Sequence, residues 1–145
     1  MILRLLFSIW PPYFGAGIRI KRISKDFREV DVEMKLRFWN KNYVGTHFGG
    51  SLYAMVDPFY MLMIMNNLGR EYIVWDKAAS IKFVKPGKST VHAHFRLTEN
   101  QIHELKEKLQ NQEKIEPVYT IDVVDDAGTV IAHVEKTIYI RKKKP

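Results

Sequence analysis

Thr46-His47-Phe48-Gly49-Gly50, followed by an apolar run and one acid at Asp57, is the stretch of this chain whose residue types and spacing can do chemistry. Two adjacent glycines leave the backbone uncovered where a segment turns into a helix. The first amides of a helix have no partner inside it, and with the helix dipole they favour negative charge. A carbonyl held against Gly49 and Gly50 would have its developing oxyanion stabilised there. Where enzymes use such a donor, losing it costs on the order of 10²–10³ in rate. Asp57 follows Gly50 by seven residues, about two turns at roughly 3.6 residues per turn. From Ser51 to Leu68, 13 of 18 residues are apolar or aromatic, the pattern of a helix buried on every side. An acid in that setting needs a partner, a bound proton or a function. The residues alone leave a structural acid, capping a helix restarted at Pro58, and a working acid both open. Gly49-Gly50 is equally readable as a tight loop packed on a sheet.

The elements around this stretch read as sheet. Val30, Val32, Met34, Leu36 and Phe38 alternate with Asp31, Glu33, Lys35 and Arg37, so Val30 to Phe38 predicts a half-buried strand, preceded by one over Ile18 to Ser24. Asn40-Lys41-Asn42 is a loop, and a helix runs from the glycines to Gly69. Pro58 brings no amide hydrogen to the carbonyl of Ala54, which predicts a kink just after Asp57. Ser80 to Lys85 and Ser89 to Leu97 predict two strands turned at Pro86-Gly87, and Thr98-Glu99-Asn100-Gln101 has capping-box spacing ahead of Ile102, Leu105 and Leu109. Val118 to Asp125 and Thr129 to Arg141 are the last strands, turned by Asp126-Ala127-Gly128. The order predicts an α+β domain over 1–145, satisfied by a curved antiparallel sheet around one apolar helix and equally by a generic α+β sandwich, with a short cap helix over 1–15 and a basic tail over 141–145.

Composition narrows the function classes. At 145 residues, 46% hydrophobic and without cysteine, the chain is globular and carries neither disulfides nor thiolate metal sites. That cysteine usage is compatible with the cytoplasm. The net charge of +7 invites a nucleic-acid partner, but Arg141, Lys142, Lys143 and Lys144 account for +4 of it, leaving +3, and a terminal basic run is ordinarily a solvated tail. The expectation is no nucleic acid. Met1 to Trp10 is apolar but ends at Pro11-Pro12 without a cleavage pattern, and no stretch approaches the ~20 apolar residues of a membrane span. His92 and His94 share a strand face without a third ligand, so no metal is expected.

Asn42-x-x-Gly45-Thr46-x-x-Gly49-Gly50 with Asp57 seven residues on resembles the signature of hotdog-fold acyl-CoA thioesterases of the phenylacetate-pathway type. Ser80 to Lys88 is similar to their strand and turn after the helix, and Asp126 to Ala132 to their final hairpin. In detail, Asn42 to Gly50 with Asp57-Pro58-Phe59-Tyr60 is still more similar to an uncharacterised thioesterase-like hotdog family labelled a domain of unknown function. The resemblance covers the chain after Ile18 and implies a hotdog fold, a homo-oligomer (dimer or dimer of dimers), and a site shared across the dimer interface. It implies an acyl-CoA or acyl-carrier thioester as substrate, with coenzyme A entering only as part of that substrate and no other cofactor. Asp57 would be general base or nucleophile, Asn42 would orient the water or the thioester, and Gly49 and Gly50 would receive the carbonyl. Gly45, Thr46, His47 and Phe48 would line the substrate, and Lys82, Lys85 and Lys88 would meet the coenzyme A phosphates. One position departs from the pattern: the histidine before the glycines is Phe48 here, with His47 displaced by about 100 degrees of helical rotation.

Two further readings accompany the thioesterase. In a non-catalytic acyl-thioester or lipid binder, Phe48 has replaced a functional histidine. His47-Phe48 also resembles the His-x-Phe loop of hydroxyacyl-thioester dehydratases, although the helix glutamate of that motif is absent. Met55, Met61, Met63 and Met65 read as core, or as the lining of an acyl tunnel.

Overall fold

The period-two segments become strands of one antiparallel sheet. A computed structural model describes residues 6, 7 and 9–143. In chain order its elements are α1 (Pro11–Ala16), β1 (Ile18–Ile23), β2 (Glu29–Met34), α2 (Gly49–Ala54), α3 (Phe59–Leu68), β3 (Tyr72–Phe83), β4 (Val91–Arg96), α4 (Glu99–Asn111), β5 (Lys114–Ile115), β6 (Val118–Asp125) and β7 (Val130–Lys142). The sheet order is β1-β2-β4-β6-β7-β3, with β5 paired to β7, so β1 and β3 are its edges. All pairs are antiparallel.

Alternation decides which face is buried. Val30, Val32 and Met34 of β2 are in the core, while Glu29, Asp31 and Glu33 face outward and pair with Arg22, Arg96 and Lys21. Helix α3 lies against the inner face with Phe59, Tyr60, Met63 and Ile64 buried, and the Phe59 ring packs tilted against Phe95 of β4, centres 5.1 Å apart. Met55 and Met63 are fully buried core residues, whereas Met65 is exposed. The capping box at Thr98 and Gln101 forms as the spacing predicts, and α4 buries Ile102, Leu105 and Leu109.

The chain departs from expectation in four places. The predicted central helix is two: after Ala54 the backbone leaves helical hydrogen bonding and restarts at Phe59, so Asp57 stands in the junction. Pro58 is the cause, since its missing N–H strands the Ala54 carbonyl, which instead accepts the Tyr13 hydroxyl at 3.1 Å. Strand β2 stops at Met34, where its partner β4 begins at Val91, and Phe38 is 80% exposed rather than inward. Strand β3 starts at Tyr72, eight residues before Ser80 where the pattern placed it, because the register shift between Asp76 and Ala78 interrupts its alternation. Arg141 and Lys142 belong to β7, paired with Ile73 and Tyr72, and not to a tail. The expectations for residues 1–5, 8, 144 and 145 lie outside the described residues. No helix among the described residues is long and apolar enough to cross a membrane.

Candidate functional site

Strand β7 alternates inward residues Val134, Ile138 and Ile140 with outward ones, and the inward position between Val134 and Ile138 is a lysine, Lys136, with 0% exposure. A buried ammonium is stable only with counter-charge and bonds for its three hydrogens. Its Nζ donates to Asp57 Oδ1 at 2.8 Å and to the Asp57 backbone carbonyl, and lies 3.0 Å from Asp76 Oδ1. The Asp76 contact is an ion pair without hydrogen-bond alignment, so that oxygen is buried and otherwise unpartnered. Tyr53 of α2 completes the group: its hydroxyl donates to Asp57 Oδ1 at 2.7 Å, and Lys136 sits 5.4 Å from its ring centre.

Four elements thus converge on one buried cation. Burial works against the Lys136 charge, but the adjacent carboxylates of Asp57 and Asp76 outweigh that and push its pKa up. Burial raises the Asp76 pKa, with the Asp57 charge acting in the same direction and Lys136 against. Burial, with the bond to Asp57, raises that of the Tyr53 phenol. Asp57 itself is 45% exposed. Its Oδ1 is fixed by two donors, while Oδ2 takes no bond from the described residues. A cleft of about 400 Å³ opens beside the cluster, lined by Tyr53, Asp76 and Lys77 to Ile81.

The loop before α2 is braced from within. Asn42 Oδ1 accepts the amides of Val44 and Thr46 at 3.1 and 2.9 Å, and its Nδ2 donates to Thr46 Oγ1 and the His47 carbonyl at 2.9 and 3.3 Å. Gly45 supplies the left-handed turn at φ 83°. These bonds hold His47 inward, 3% exposed, with its Nε2 donating to the Ser89 carbonyl at 2.7 Å, its Nδ1 unpartnered, and its pKa lowered by burial. Gly87 allows the approach, since a Cβ there would come within 3.0 Å of the imidazole. Phe48 caps α2 without a side-chain bond and is 58% exposed. No hydrogen bond within the described residues uses the amides of Gly49 or Gly50; the first bonds of the turn run from Ser51 and Leu52 to the Phe48 carbonyl.

The residues singled out from sequence therefore fall into three sets. Asn42, Gly45, Thr46 and His47 shape one loop, and that loop presents Phe48, Gly49 and Gly50. Lys82, Lys85 and Lys88 are exposed along the end of β3 and its following turn. Phe83 packs over Gly49, where an added Cβ would meet its ring at 2.8 Å, so this turn adjoins the glycines. Asp57 stands apart from the glycines, seven residues beyond Gly50 and past the end of α2, in the junction before α3. Lys136, Asp76 and Tyr53 were missed. A lysine among Val134, Ile138 and Ile140 was the available signal. Elsewhere, His92 and His94 pair with Asp126 and Asp31 at 2.6 and 3.0 Å, and the described residues hold no cluster of three or more metal-ligating side chains.

Comparison with known proteins adds the following. The family described as a domain of unknown function, DUF4442, matches residues 1–140. No curated protein matches the chain. Among solved structures, a Pseudomonas aeruginosa protein of unknown function described as a probable thioesterase superposes with a TM-score of 0.87 at 18% identity, covering 98% of this chain and 95% of its own. A Haemophilus influenzae thioesterase gives a TM-score of 0.69 at 16% identity, with 97% and 88% covered. The Escherichia coli PaaI protein of the phenylacetic acid degradation operon gives 0.64 at 16% identity, with 98% and 91% covered. At such identities the likeness shows the fold: a hotdog, with a curved antiparallel sheet packed around a central helix.

Proposed function

The chain belongs to the DUF4442 family, and from that premise we propose that it hydrolyses the thioester of an acyl-CoA or acyl carrier at a site completed by a second copy of itself. The observation that carries this reading is Asp57, whose Oδ1 is held by Lys136 and Tyr53 while Oδ2 remains open on a half-exposed side chain. A base or nucleophile needs this arrangement: fixed orientation on one oxygen and access on the other. As base, Asp57 Oδ2 takes a proton from water as the water oxygen bonds to the carbonyl carbon. The oxyanion formed is met by open glycine amides, the C–S bond then breaks, and the proton passes from Asp57 to the departing thiolate. In this reading the carbonyl facing Asp57 is held by the glycine turn of a second copy, as the resemblance to the thioesterases implies. Asn42 serves as a positioning residue, because its amide is spent holding the loop that carries Gly49 and Gly50. Lys82, Lys85 and Lys88 adjoin that turn and meet the phosphates of coenzyme A.

One observation favours the binder. The Phe48 ring lies against Gly50, where an added Cβ would stand 2.5 Å from it, so an apolar ring stands beside the glycine turn in place of a histidine. The test is hydrolysis of a panel of acyl-CoAs by the parent and by Asp57→Asn, with melting temperature followed on both. Turnover by the parent that falls at least about a hundredfold in the variant, with the fold retained, supports hydrolysis. Acyl-CoA that raises the melting temperature without being cleaved, whatever its chain length, assigns the binder instead.

A further inference from the structure

The end of the molecule formed by α1 and the loop after β2 exposes apolar, aromatic and cationic side chains to which the proposed chemistry gives no role. Phe14, Phe38, Trp39, Tyr43 and Val44 are 73%, 80%, 56%, 105% and 76% exposed. Asn40 gathers them: its Nδ2 donates to the Ala16 and Lys35 carbonyls at 2.9 Å each, and its Oδ1 accepts the Arg37 amide at 2.7 Å, which ties the loop to the end of α1. Tyr43 and Val44 are held at the tip by the bonds to Asn42 Oδ1 and by Gly45 N–H on the Asn42 carbonyl at 3.0 Å. The rings are presented on a braced turn. Lys35, Arg37 and Lys41 are interleaved with them, and no acid occurs between Met34 and Asp57. None of the three cations has a carboxylate within salt-bridge distance among the described residues, in contrast to Lys21 and Arg22 on β1, which pair with Glu33 and Glu29. Arg37 instead lies 5.9 Å from the Trp39 ring centre.

We propose that this face is a docking surface for an anionic lipid bilayer. Tryptophan and tyrosine combine an apolar body with a polar tip and settle at headgroup level, Phe and Val enter the acyl boundary, and unpaired lysine and arginine meet lipid phosphates. The +7 chain is complementary to such a surface. A second copy is the poorer occupant, because a two-fold contact centred here sets Lys35, Arg37 and Lys41 against themselves. The inference stands apart from the chemistry at Asp57.

The experiment is flotation of the full chain with vesicles of equal parts phosphatidylglycerol and phosphatidylcholine, beside vesicles of phosphatidylcholine alone, with tryptophan emission recorded. Expected are binding to the anionic vesicles, a blue shift of emission, and weakening by salt. Trp39→Ser with Tyr43→Ser removes the binding, and Arg37→Glu with Lys41→Glu lowers it by at least about fivefold per cation. Melting curves show which variants fold, and either pair suffices. Absence of the parent from the anionic vesicles, or binding unchanged in a folded pair, overturns the proposal. So does sedimentation showing that a folded pair turns an oligomeric parent into monomers, which makes the face a contact between copies.

Discussion

At the scale of single residues, the stake is largest at Lys136, which is fully buried against Asp57 and Asp76. Lys136→Met leaves Asp76 inward without its cation, and removing one partner of a buried pair costs roughly 3–5 kcal/mol, a loss that urea denaturation reads directly. Asp57→Asn should cost less, because the side chain is half-exposed and an amide oxygen still accepts from Lys136 and Tyr53. The pH dependence follows from Asp76. Its pKa is raised by burial above the ordinary 3.8, so between that value and its folded pKa the native state holds a proton the unfolded chain has released. The stability this group contributes is present below 3.8 and lost as pH rises through the folded pKa. Melting temperatures across pH 3.5 to 7 should therefore lose this component in Asp76→Asn. Asp57 was legible in the sequence because it interrupts an apolar run. Its partner was not, since the Lys136 bond spans 79 positions and depends on the register that sets Lys136 beside Ala79.

Among the elements, the break between α2 and α3 is the feature that sequence chemistry reached most directly. Pro58 predicted the stranded Ala54 carbonyl; that Tyr13 of α1 would donate to it at 3.1 Å was beyond any local pattern. Tyr13→Phe leaves this carbonyl without its donor and should cost about 1–3 kcal/mol. Pro58→Ala restores an amide that can bond Ala54, so the Tyr13→Phe cost should shrink in the double variant, and strict additivity in a double-mutant cycle would sink the account. The same logic explains the misread sheet. Alternation over Val30 to Met34 was reliable because Val91 to Phe95 pairs along all of it, whereas Leu36 and Phe38 continue the pattern without a partner strand. Tyr72 to Trp75 is rich in strand formers, but Asp76, Lys77, Ala78 and Ala79 are poor ones, and the bulge among them hides the period of two.

For the whole molecule, the question is what covers β3. It is the sheet's long edge, 12 residues paired only with β7 among the described strands, and Ala78, Ala79 and Ser80 on it are exposed. Such an edge is a ready template for another strand, and a two-fold axis through it would join two copies antiparallel. This edge also lines the cleft next to Asp76 and ends beside the glycine turn, so pairing there is the geometry that would bring one copy's glycines toward the other's acid. The chain is therefore expected to sediment at about 34 kDa, twice 17.1 kDa. Ala79→Lys places a cation on the edge of each copy and should shift the protein to monomers while leaving the fold intact, since the position is exposed. Hydrolysis per chain should then fall with the dimer fraction and recover at high protein concentration. A monomeric variant as active as the parent would show that Asp57 works without a second copy, and the site shared between copies would then be ruled out.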